Sequence, residues 1–294
     1  MKVLVITLLA LVAVVYTRNV NIEEVIDLED LSAYDYHNKI GIPLANKIRE
    51  AEARDAASRI TGGSAAVLGQ IPYQVGLQIT INLISTSVCG GVILGPTRVI
   101  TAAHCWFDGR NQARTFTVVI GSITLFTGGQ RINTNNVVMH ELWNPNLLRN
   151  DVAIAILPSS IAFSDIARAI ALPSGSELNQ SYSGSIATVS GFGRTGDGIT
   201  SSQFLSFVEL PVISNADCAR SFPENVVESN ICTSGANRQS VCSGDSGGPL
   251  VVTSNNRPIL IGVVSYGSNW GCTRGFPVAY ARVSYFASWI EARL

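Results

Sequence analysis

From Ile60 onward the chain is written in short apolar runs. Tyr73–Ile81, Gly91–Leu94, Phe116–Ile120, Val152–Leu157, Ile186–Val189, Leu250–Thr253 and Ile259–Ser265 are rich in Val, Ile and Thr, and Gly, Asn, Pro or Ser separates them. Runs this short cannot cover a core as helices. β-Branched residues between turn formers fit a pleated surface instead, so an all-β sandwich or barrel is expected. One helix is predicted, Val283–Arg293, because Val283, Phe286, Ile290 and Leu294 recur at helical spacing.

Charge divides the 294 residues into three parts. The net charge of −1 argues against an electrostatic nucleic-acid binder, and 47% hydrophobic residues argue against disorder. Residues 1–17 hold one charge, Lys2, followed by an apolar stretch Val3–Tyr16 broken only by Thr7. About 20 apolar residues are needed to span a bilayer. A basic start and a shorter apolar run predict a secretory signal peptide ending near Thr17, and hence a soluble, secreted product that does not engage membranes. Residues 18–59 hold nine acidic and six basic residues. Ile40–Ser58 fits a polar helix of low stability, and the segment is expected to be an exposed, weakly structured tail. Residues 60–294 carry 13 Arg, 12 acidic residues and no Lys.

All six cysteines fall in the third part: Cys89, Cys105, Cys218, Cys232, Cys242 and Cys272. An even count in a secreted chain implies three disulfides, with fifteen pairings open. Zinc is the weaker reading, since no Cys-x-x-Cys pair occurs and only His37, His104 and His140 exist.

Two motifs carry chemistry. In Gly244-Asp245-Ser246-Gly247-Gly248-Pro249 a serine sits in a glycine-rich turn. Backbone N–H groups there can converge on a developing oxyanion. A serine hydroxyl needs a base to become a nucleophile. Thr101-Ala102-Ala103-His104-Cys105 supplies the base, His104; His140 reads as a surface residue and His37 lies in the charged segment. Asp151 heads the very apolar stretch Val152–Leu157, where a buried carboxylate is costly unless partnered, and it is the candidate to orient His104.

The order His…Asp…Ser in an all-β, disulfide-bonded, secreted chain resembles the chymotrypsin-family serine proteases, whose triad is a standard worked example of serine catalysis. The resemblance covers Ile60–Leu294. It implies two antiparallel six-stranded β-barrels, a C-terminal helix, and an active site in the cleft between the barrels. It implies His104 as general base, Asp151 as its orienting carboxylate, Ser246 as nucleophile, and the N–H groups of Gly244 and Ser246 as the oxyanion hole. It selects the pairings Cys89–Cys105, Cys218–Cys232 and Cys242–Cys272. Arg59 followed by Ile60-Thr61-Gly62-Gly63 is similar to the family's activation site, with Thr61 where Val is usual. Cleavage there would free the Ile60 amine to pair with Asp245. Residues 18–59 are then a pro-segment, which no seventh cysteine tethers, so it is expected to leave.

In this family Ser240 would form the pocket floor, with Ser265, Tyr266, Gly267 and Val278 as walls. Ser240 cannot pair with Arg or Lys, Gly267 leaves the entrance open, and Val278 shortens the pocket. Cleavage after Leu, Phe, Tyr or Met is expected. The stretches Gly271–Tyr280 and Tyr285–Ile290 are similar to the brachyurin and insect chymotrypsin group, which implies a digestive role in a gut lumen. The resemblance further implies protein or peptide substrates, an activating trypsin-like protease, protein inhibitors as partners and a monomeric state. No cofactor or metal is expected: no acidic residue lies between Gly121 and His140, where a calcium loop would stand.

Overall fold

The computed structural model describes residues 26–55, 66–194, 196–197, 204–236 and 240–294. The expected signal peptide 1–17 and the Arg59–Ile60 junction lie outside the described residues. No helix among the described residues is long and apolar enough to cross a membrane.

The apolar runs become strands in two antiparallel sheets. The first contains β1 (Gln74–Thr80), β2 (Thr86–Gly95), β3 (Arg98–Thr101), β4 (Thr115–Ile120), β5 (Gln130–Thr134), β6 (Val137–Met139) and β7 (Ala153–Ile156). Their order is β5-β4-β1-β2-β3-β7-β6. Seven strands stand where six were expected because residues 130–139 break in the middle. β5 pairs with β4, and β6 pairs with β7. At the break the Thr134 hydroxyl donates to Ile156 O at 2.6 Å, and Ile156 N donates to Asn136 O at 2.8 Å. One bent strand therefore spans both sides of this half-barrel.

The second sheet contains β8 (Ile186–Gly191), β9 (Ser206–Ile213), β10 (Asn230–Thr233), β11 (Pro249–Ser254), β12 (Arg257–Tyr266) and β13 (Val278–Arg282). It closes into a six-stranded barrel, β10-β13-β12-β11-β8-β9. Val189, Leu210, Ile231, Leu250, Ile261 and Tyr280 fill it. Disulfides Cys89–Cys105, Cys218–Cys232 and Cys242–Cys272 brace the two halves. The first joins β2 to the turn that carries His104. The C-terminal helix is shorter than its apolar periodicity suggested, Ala287–Glu291, because Val283–Phe286 form turns before it. Phe286 and Ile290 reach back into the core of the first sheet. His140, expected at the surface, is half-buried between the Phe286 and Trp289 rings at 5.3 and 5.2 Å.

The charged N-terminal segment carries the expected helix but departs from expectation in where it lies. Residues 26–55 are not an exposed tail. They contain a wide helical turn, His37–Gly41, that runs into α1 (Ile42–Asp55). The widened turn precedes Pro43, which has no N–H for the carbonyl four residues back. Tyr36, Ile40, Leu44 and Ile48 recur every fourth residue and form one buried stripe, while Lys47, Arg49 and Glu50 face solvent. Leu44 and Ile48 pack between the two sheets against Val88, Leu125 and Phe192, while Tyr36 and Ile40 join the core of the first sheet.

Candidate active site

His104 sits in the tight turn Ala103–Cys105 that follows β3. Its backbone N–H donates to Asp151 Oδ1 at 2.8 Å, and its Nδ1 lies 2.7 Å from Asp151 Oδ2. His104 is fully buried and Asp151 is 2% exposed. A carboxylate so placed needs partners. A third arrives from far along the chain: the Ser265 hydroxyl donates to Asp151 Oδ2 at 2.6 Å. The carboxylate thus accepts three hydrogen bonds, and His104 is held by both its backbone and its ring. The Nδ1 contact to a carboxylate places a proton on Nδ1 and leaves Nε2 as the basic nitrogen.

Ser246 lies across the cleft, in the turn before β11. Ser246 O accepts Gly90 N at 2.7 Å, and Gly247 N donates to Val264 O at 2.8 Å. The turn is thereby clamped to both sheets at once. Only glycine serves at 247: φ is +79°, and a Cβ there would stand 2.1 Å from Thr101 Oγ1. Beneath the turn, Asp245 is half-buried, with its carboxylate turned inward against Gly191 and Gly193. Its carboxylate accepts Gly193 N at 2.8 Å and Cys242 N at 3.2 Å. Burial pushes it up to about 7, although both N–H groups favour the ionised form. No ion pair to Asp245 occurs among the described residues.

Beside Ser246 a cavity is lined by Val241, Cys242, Ser243, Val264, Tyr266, Gly267 and Val278. Gly267 and Val278 face each other: a Cβ on Gly267 would come within 3.3 Å of Val278 Cγ2. Ser240 is half-buried just before the lining residue Val241, and Ser265 points at Asp151 rather than into the cavity. At the mouth, Asp197 accepts Cys272 N at 2.7 Å, Thr273 N at 3.0 Å and the Thr273 hydroxyl. Its carboxylate is therefore committed to the loop. Cys89, His104 and Cys105 lie close enough to suggest a metal site, but the two sulfurs are bonded to each other and offer no thiolate.

The sequence reading missed the residues that fill this cleft. The Tyr36 ring stands 4.9 Å from the His104 ring, edge-on, and its hydroxyl donates to Val88 O at 2.7 Å. Burial raises the Tyr36 phenol well above its usual range, and a contact with the Ser246 side chain opposes that shift. No hydrogen bond joins Ser246 Oγ to His104 among the described residues. His37 is fully buried, with Nδ1 2.8 Å from Ser87 Oγ. Ile40 lines the cavity itself. The every-fourth-residue stripe from Tyr36 to Ile48 was the available signal, masked by surrounding charge.

Comparison with known proteins places the fold in a family. The Trypsin family model matches residues 60–290. Collagenase of Hypoderma lineatum is 38% identical over 234 residues, covering 79% of this chain and 86% of the relative. Brachyurin of Leptuca pugilator is 32% identical over 238 residues, covering 80% of this chain and 98% of the relative. The solved structure of HL collagenase superimposes with a TM-score of 0.72 at 37% identity, covering 80% of this chain and 98% of that one. A match across four-fifths of the chain, with the same two-sheet architecture, is decisive, and the chain belongs to the trypsin family of serine proteases.

Proposed function

We propose that the protein is a secreted endopeptidase made as a zymogen, with His104 as general base, Asp151 as its orienting carboxylate and Ser246 as nucleophile. The observation that carries this reading is Asp151, which accepts three hydrogen bonds and grips His104 at two atoms. His104 Nε2 takes the Ser246 proton as the hydroxyl adds to the scissile carbonyl. The N–H groups of Gly244 and Ser246 receive the oxyanion, and the imidazolium then protonates the leaving amine. Water deacylates the enzyme by the same route in reverse.

Activation proceeds by cleavage after Arg59, performed by a trypsin-like protease. The new Ile60 amine then pairs with Asp245, which supplies the missing cation to a buried carboxylate. The pocket favours Leu, Phe, Tyr and Met. Val241, Val264 and Val278 make its walls apolar, the isoleucine Ile40 already lies against them, and the nearby Asp197 carboxylate is engaged by the 272–273 loop. Val278 narrows it against the largest rings. Residues 1–17 direct secretion, and a digestive role in a gut lumen follows the brachyurin-like relatives.

The test is cleavage of the purified chain with trypsin, followed by assay on peptides ending in Leu or Phe. Turnover with labelling of Ser246 by a serine-reactive phosphonate is expected. Absence of both, once residues 18–59 have been removed, would leave a non-catalytic relative of the family that binds without hydrolysing.

A further inference from the structure

The cleft is occupied by the chain's own N-terminal segment, and the manner of occupation matters. Residues 30–32 lie antiparallel to 267–269 as an added strand: Asn269 N donates to Asp30 O at 2.7 Å, Ser32 N to Gly267 O at 3.0 Å, and Gly267 N to the Ser32 hydroxyl at 3.0 Å. Strand addition of this kind is how extended peptides are held on a sheet edge. The segment then leaves the extended path. Tyr34 N turns back to Leu31 O, Asp35 takes φ +53°, and Asp35 N and His37 N are tied to Asp108 O and Oδ2 at 3.1 and 2.8 Å. Helix begins at once, so the side chain presented to His104 is the ring of Tyr36, edge-on at 4.9 Å, and not an extended peptide backbone.

The grip continues beyond the cleft. Leu44 packs on Gly244, so closely that a Cβ on that glycine would stand 2.0 Å from Leu44 Cδ2. Gly41 lets the helix touch β2, since a Cβ there would meet Ser87 Oγ at 1.9 Å. Buried Glu52 accepts Leu125 N at 2.6 Å, Phe126 N at 3.0 Å and the Thr127 hydroxyl at 2.9 Å. Every one of these contacts is made by residues 30–52, so hydrolysis after Arg59 removes none of them.

We infer that the cleaved segment stays bound as a non-covalent, substrate-like but uncleavable inhibitor, and that the enzyme works only after this segment dissociates or is itself degraded. This rests on the protease reading above. It reverses the expectation that a segment without a cysteine tether departs on cleavage: the apolar stripe and the Glu52 cap do the tethering.

The experiment uses the full chain, nicked after Arg59 by brief trypsin treatment, with mass spectrometry showing that the segment stays uncut at the exposed Lys47 and Arg49. The segment is expected to co-elute with the protease on gel filtration at micromolar concentration. Activity on a small Leu ester, per mole of protein, should rise on dilution as the complex dissociates. Tyr36→Ala and, separately, Leu44→Arg should weaken retention on the order of a hundredfold, as expected for truncating or charging a fully buried contact. Full activity at micromolar concentration with the segment eluting apart would overturn the inference and leave the protease reading intact. If the segment is retained, but the segment-free enzyme from the Tyr36→Ala/Leu44→Arg chain neither turns over nor takes the phosphonate, the protease reading fails while retention stands. Retention with undiminished activity would refute the inhibitory role.

Discussion

Replacing Asp245 by Asn in the uncleaved chain, in a Ser246→Ala background that prevents self-digestion, tests the activation switch directly. Asp245 is pushed by burial from 3.8 to about 7, so the folded chain binds its proton more tightly than the unfolded chain. Its contribution to stability is complete below the unfolded value and is lost as pH rises to about 7. At 1.36 kcal/mol per unit, that loss is about 4 kcal/mol. Asn cannot ionise and shows no such loss. It does forfeit one acceptor, because its amide NH2 must face either Gly193 N or Cys242 N. A constant penalty of about 1–3 kcal/mol follows. The variant should therefore be less stable than the parent near the unfolded carboxyl pKa and more stable at neutral pH, with the two curves crossing between. Urea unfolding followed by tryptophan fluorescence across this range reads the difference. The parent's own profile is flattened, because His37 acts in the opposite sense: burial lowers it from 6.5 to about 4, so its contribution grows as pH rises through that window. Only the difference between variant and parent isolates Asp245. A variant offset that stays constant with pH would refute the reasoning. Cleavage after Arg59 should reverse the neutral-pH order, since the Ile60 amine would find a carboxylate in the parent and none in the variant.

Retention of the cleaved segment should weaken in acid. His37 is bound neutral, faced by Asp108 and Asp35, which favour its charge, by His104, which opposes it, and by the Ser87 hydroxyl and Tyr36 ring. Segment release followed by gel filtration should rise on the order of a hundredfold in dissociation constant as pH falls from 6.5 to about 4, and His37→Gln should flatten that dependence. Ser265→Ala removes a buried donor from Asp151 and should lower kcat on the order of tenfold with little change in KM, measured on a Leu peptide. Val278→Gly should deepen the cavity and raise kcat/KM for Phe and Tyr relative to Leu by about tenfold, read from paired peptide substrates.

Much of the site was legible because its chemistry is written in short local motifs. A histidine beside a cysteine, an aspartate heading an apolar strand and a serine between glycines are each readable within a few residues. Strands were legible where β-branched runs were long. β5 was not, because three of its five residues, Gln130, Arg131 and Asn133, are exposed and polar. β10 is only four residues long and opens on Asn230. Ser265 was placed in the pocket wall on family grounds, whereas its hydroxyl reaches Asp151 across a separation of 114 residues. Such a contact has no signature in spacing.

Fold class and family are legible in the linear order of residues, which also nominates His104, Asp151 and Ser246 for the chemistry. β-Branched periodicity, glycine placement and nucleophile chemistry act over a few bonds and leave local marks. The place of the charged segment, by contrast, is set by long-range packing. Its fifteen charges dominate any average over residues 18–59 and conceal four apolar side chains four residues apart. Those side chains acquire meaning only when a cleft of matching shape lies opposite them, because burial depends on what the rest of the chain brings near. The tail expected in solvent is instead a plug, seated against His104 and over Gly244.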